Sequence, residues 1–125
     1  MRRNILIISH NQAMSYLLQT VIGNIHKLVI TEDVFQGMHQ LKHKQNINLI
    51  IIDIDYQTKE SIDFIQHINS SKLYNKPVIV LSNVQNKKSN EAVIETIVFK
   101  YFIKPFSPIE LIHSIDKLVM SSSLS

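Results

Sequence analysis

Leu49-Ile50-Ile51-Ile52-Asp53 is the stretch that decides the fold: four aliphatic residues with no polar break, closed by a carboxylate. A strand that is apolar on every residue buries both of its faces, the condition inside a parallel sheet covered by helices on each side. Working outward, further apolar runs of strand length lie at 5–8, 28–30, 78–81 and 101–103.

The gaps between these runs carry helical periodicity. Met14, Leu17, Leu18, Val21 and Ile22 make one apolar stripe. Val34, Met38 and Leu41 make a second, with Gly37 inside it at a cost of about 1 kcal/mol in helix propensity. Ile62, Ile65 and Ile68 mark a third helix, and Ala92, Val93 and Thr96 a weaker fourth. The last helix has a clear start, with Ser107 as N-cap, Pro108 in the first helical position and Glu110 to close a capping box. Its buried stripe reads Ile109, Ile112, Ile115 and Val119.

Five strand-then-helix repeats predict an α/β fold: a doubly wound, five-stranded parallel sheet in a flavodoxin-like (βα)5 three-layer sandwich. The chain of 125 residues fits one domain over 1–120, with 121–125 read as a flexible tail or the start of a linker. In such sheets ligands sit beyond the carboxyl ends of the strands. Those ends carry Ser9, His10, Asp53, Ser82 and Lys104.

Composition narrows the function. There is no cysteine, which excludes disulfides, thiolate metal sites and cysteine nucleophiles. The net charge of +3 comes from scattered lysines and arginines, with no basic stripe interleaved with aromatics, so no nucleic-acid partner is expected. The apolar run after Arg3 is too short for a secretory signal, and nothing approaches the ~20 apolar residues of a membrane span. No membrane partner and a cytoplasmic location are expected.

Asp53, Val80-Leu81-Ser82 and Ile103-Lys104-Pro105-Phe106, at this spacing, resemble the response-regulator receiver (CheY-like) domain over essentially the whole chain. The resemblance implies that Asp53 is the phospho-acceptor, Ser82 the hydroxyl that follows the phosphoryl group, Lys104 its cation and Tyr101 the aromatic switch position. It also implies a cis peptide before Pro105. Phosphoryl transfer to a carboxylate needs positive charge and donors to offset repulsion, which accounts for these residue types. Taken singly, Asp53 reads as a solvated turn residue, Lys104 as a surface ion pair and Ser82 as a local turn donor.

The chain departs from the family where the metal should sit. Two acidic residues are expected after the first strand, and Ser9 and His10 stand there. Histidine is a poor Mg²⁺ ligand, so Mg²⁺ binding is expected to be weakened, and no other cofactor is expected. His10 is read as a ring over the pocket mouth or a hydrogen-bond partner of Asp53. Asp55 is a candidate replacement ligand beside Asp53, or else a solvent-facing loop acid. Asn83 replaces the very small residue usual after Ser82, and Ile97-Val98 replaces a Gly-Ala turn, making that face apolar around Phe99.

The reading that follows is an atypical receiver domain of two-component signalling, acting mainly by protein–protein contact, with phosphorylation weak or absent and no enzyme activity beyond its own aspartate. Its expected partners are a histidine kinase or phosphotransfer protein, a downstream protein and a second copy of itself. The runner-up is a working phospho-receiver that accepts a phosphoryl group on Asp53 from a histidine kinase. A flavodoxin-like small-molecule binder ranks third, because Ser9-His10-Asn11-Gln12 has no glycine with which to cradle a phosphate.

Overall fold

The computed structural model describes residues 2–43, 46–72 and 74–124, with side chains described as far as residue 118. Five strands, β1 (Asn4–Ile8), β2 (Lys27–Thr31), β3 (Leu49–Asp53), β4 (Val78–Ser82) and β5 (Lys100–Ile103), form one parallel sheet in the order β2-β1-β3-β4-β5. The aliphatic run of β3 lies between β1 and β4, with Ile52 opposite both Ile8 and Val80. Its alternate residues feed different cores. Ile50 and Ile52 join one cluster with Leu41, Ile62, Ile65, Ile68 and Ile94. Leu49 and Ile51 join another with Leu18, Ile22, Leu111, Ile115 and Leu118. Burial on both faces is the reason the run contains no polar residue.

The helices are α1 (Gln12–Ile22), α2 (Val34–His43), α3 (Thr58–Ser70), α4 (Val84–Ser89), α5 (Glu91–Ile97) and α6 (Pro108–Leu124). Helices α1 and α6 cover one face, and α2, α3 and α5 the other. This is the doubly wound sandwich expected from the sequence. Between β4 and β5, where one weak helix is expected, the chain makes two short ones that meet at Asn90. The stripe of α5 is also not Ala92, Val93 and Thr96. Ile94 is fully buried with Val93 and Ile97 beside it, whereas Ala92 and Thr96 are exposed.

In α6 the start is as expected on one arm, the Ser107 hydroxyl accepting from the Glu110 N–H at 3.3 Å. The stripe differs: Leu111, Ile115 and Leu118 are buried and Ile109 is 64% exposed. At about 100° per residue, Ile109 and Ile115 lie roughly 120° apart and cannot share a narrow face. The side chain of Val119 falls outside the described residues, and the helical backbone continues through Leu124, into the serine run.

Gly37 is structural. A Cβ at this position would meet Ile8 Cδ1 at 2.4 Å and Cγ1 at 2.9 Å. Ile8 is itself buried in β1, between β2 and β3, and has little room to move. Glycine therefore sets how closely α2 approaches β1. Gly37→Ala is expected to destabilise the fold by about 1–3 kcal/mol through overpacking, although propensity alone would favour alanine by about 1 kcal/mol. Urea unfolding of the two proteins checks the sign.

Candidate functional site

Parallel register brings the ends of three strands level. Asp53 closes β3 opposite Leu81, and Ser82 closes β4 opposite Ile103. Pairing runs one residue further on each side, from Ile54 N–H to Leu81 O at 3.1 Å and from Lys104 N–H to Ser82 O at 2.9 Å. Lys104 then precedes a cis bond to Pro105. Its ammonium reaches back across the strand ends to Asp53 Oδ2 at 2.6 Å. The Asp53 side chain is only 4% exposed, so this is a largely desolvated pair. The other oxygen, Oδ1, accepts from the Asp55 N–H at 3.0 Å and turns the chain over the sheet edge.

The same turn delivers the Asp55 carboxylate to Lys104. Asp55 Oδ2 lies 2.9 Å from the ammonium, so Lys104 is shared between two carboxylates. Asp55 also accepts from the Asn83 N–H at 3.1 and 3.0 Å and from Asn86 Nδ2 at 2.8 Å. Burial pushes the Asp55 carboxyl up, but the bonds from Asn86, Lys104 and Asn83 outweigh it and hold the group below its ordinary value. For Lys104 burial works downward, and the bonds and charges of Asp53 and Asp55 overcome it, so the ammonium is held more firmly than usual.

The end of β1 contributes no carboxylate. Ser9 is buried, its N–H donating to Thr31 O at 3.0 Å and its hydroxyl to Asn11 O at 3.3 Å. His10 is exposed, with its ring 3.7 Å from that of Tyr56 and tilted by 41°. It packs at the rim, the first of the two places expected for it. Ser82 is fully buried, and its Oγ has no hydrogen-bond partner among the described residues. Tyr101 is half-buried beneath Lys87, whose Nζ lies 4.7 Å from the ring centroid. Contacts first with Tyr101 and then with Glu91 raise the pKa of Lys87.

The expected residues thus divide. Asp53 and Lys104 touch directly, with Asp55 in the same ion-pair network, while Ser9 and His10 turn to neighbours of their own. Asn83, noted in the sequence only as a departure after Ser82, and Asn86, not singled out there, both donate to Asp55. The sequence signal for their role as donors is that a carboxylate two residues beyond Asp53 must find partners. For Mg²⁺ the available oxygens are those of Asp53 and Asp55, and all four already accept from N–H or ammonium groups. An octahedral, oxygen-rich shell does not fit this donor set as it stands. Among the described residues, no three His, Cys, Asp or Glu side chains gather as a ligand group.

The family model described as the response regulator receiver domain matches residues 5–116. Solved structures share the fold at low identity. A response regulator receiver domain protein from Clostridium thermocellum is 15% identical with a TM-score of 0.85, covering 98% of each chain. A signal receiver domain of two-component signal transduction (histidine kinase) from the same organism is 23% identical with a TM-score of 0.79, covering 94% of this chain and 98% of that one. A signal receiver domain of an HD domain-containing protein from Pseudomonas fluorescens Pf-5 is 15% identical with a TM-score of 0.82, covering 100% of both. No curated protein matches the chain.

Lys104→Met leaves two carboxylates facing each other without their cation. The expected loss at pH 7 is about 2–3 kcal/mol, between the values for exposed and buried pairs. The folded-state pKa of Asp55 lies below its ordinary 3.8, so its share of stability is present above pH 3.8 and is lost as pH falls through the lower value. The gap between wild type and variant should therefore narrow below pH 3.8, which thermal unfolding from pH 7 to pH 3 measures.

Proposed function

The chain belongs to the response regulator receiver domain family, and on that premise we propose that it is an atypical receiver, signalling mainly through protein–protein contact with phosphorylation weak or absent. Receiver domains are signalling modules of two-component systems rather than enzymes. The observation that carries the finer reading is the sharing of Lys104 between Asp53 and Asp55.

Phosphorylation would require an Asp53 oxygen to attack phosphorus while the donor's leaving group departs. Positive charge at the site must offset the repulsion between that carboxylate and the incoming oxyanion. Here Asp55 already takes part of the field of Lys104, and the Asp53–Asp55–Lys104 cluster carries one more negative charge than positive. Ser9 and His10 supply no metal-binding carboxylate to redress this. Asp53 would have to give up its 2.6 Å bond to Lys104 or attack through Oδ1, which is held by the Asp55 N–H.

The contact surface in this reading is the β5 edge, where Phe99 and Ile103 are exposed along a groove of about 690 Å³. Ile97 and Val98 pack toward the core, so the apolar character of this face divides between core and surface. A downstream protein or a second copy of the chain would meet it there, with a histidine kinase or phosphotransfer protein acting at the strand ends. No described helix is long and apolar enough to cross a membrane. We place the protein in the cytoplasm.

One observation favours the working phospho-receiver: Ser82 Oγ is buried at the β4 end without an acceptor, as a donor awaiting one would be. Intact-mass analysis after incubation with a small-molecule phosphodonor and Mg²⁺ decides between the readings, with Asp53→Ala as control. The expected result is little or no gain of a phosphoryl mass. Near-complete gain in the wild type, absent from the variant, would establish the working receiver instead.

A further inference from the structure

Helix α4 has no buried side chain. Val84, its one aliphatic residue, is 60% exposed, so apolar packing does little to hold this segment against the sheet. Its start is held by polar contacts instead. Asn83 caps the helix, its Oδ1 accepting from the Asn86 N–H at 2.7 Å. The Asn83 N–H and the Asn86 side-chain amide both donate to Asp55. Farther along, Lys87 bonds Glu91 at 3.0 Å and lies over the Tyr101 ring.

We propose that Asp55 is a resident anionic latch, its carboxylate pinning the start of α4 to the ends of β3 and β5 by bridging Asn83 and Asn86 to Lys104. Both oxygens of Asp55 are used, and its three partners come from two separate segments of chain. Bonds to a charged acceptor are stronger than neutral ones, and Lys104 holds the acceptor charged. The arrangement of α4, and with it the Lys87–Tyr101 contact, is thereby set by a carboxylate of the chain itself. A phosphoryl group on Asp53 is not needed to fix it. An event that withdraws Lys104 or neutralises Asp55 releases the helix.

The latch goes beyond the proposed function and fails separately from it. The extent of phosphorylation is read by mass, whereas the latch is read by amide exchange in α4. Hydrogen–deuterium exchange on the full chain would compare wild type, Asp55→Ala and Asp53→Ala. Asp55→Ala should speed exchange over residues 83–90 by about tenfold or more, the equivalent of one hydrogen bond to a charged group, while β3 and β4 stay protected. Asp53→Ala should leave residues 83–90 near wild type, since the Lys104–Asp55 bond survives. Unchanged exchange in Asp55→Ala would overturn the latch, as would equal loosening in Asp53→Ala. If Asp55→Ala does not fold, Asn86→Ala, at the site's outer edge, decides the matter. Faster exchange over 83–90 supports the latch, and an unchanged rate overturns it.

Discussion

The ammonium of Lys104, held between Asp53 and Asp55 at 2.6 and 2.9 Å, is the contact on which the arrangement of the site depends. It joins the end of β5 to the end of β3 and to the loop that follows. Through Asp55 it reaches the segment after β4 as well. Without that cation, two carboxylates would face each other across a largely desolvated pocket, a costly arrangement. With it, each acid has a partner and a fixed direction in which to point.

This sharing fixes where the charges of the site lie. Two carboxylates of the chain itself share the Lys104 ammonium. At the end of β1, Ser9 is turned to Asn11 and His10 packs at a tilt against Tyr56. The result is a pocket whose hydrogen bonds are nearly complete without a ligand. Ser82 Oγ is the exception, a buried donor left over.

How much of this was legible in the sequence follows from the range of the interactions. The strands were legible because β3 and β4 are buried on both faces, and nothing but unbroken aliphatic runs satisfies that condition. The α1 and α3 stripes were equally plain. The α6 stripe was not, since Ile109 and Ile115 look periodic on paper but diverge around the helix. The break at Asn90 was hidden because two short helices and one longer helix share similar spacing. In the site, Asp53, Ser82 and Lys104 could be placed because each ends a strand. The role of Asp55 could not be read, because its partners Asn83, Asn86 and Lys104 lie far along the chain and only the folded loops bring them together. An acid on a loop after a strand looks the same whether it faces water, a cation or an asparagine.

Asp53 and Asp55 are satisfied by Lys104 and by N–H donors, so a divalent ion would have to displace bonds already made. Titration with Mg²⁺ into the millimolar range, followed by the backbone amide NMR signals of Asp55, Asn83 and Lys104, tests this most directly. The account predicts small, non-saturating shifts at these residues. Saturable binding at these positions, lost in Asp55→Asn, would contradict it and make Asp55 a metal ligand rather than the partner of Lys104.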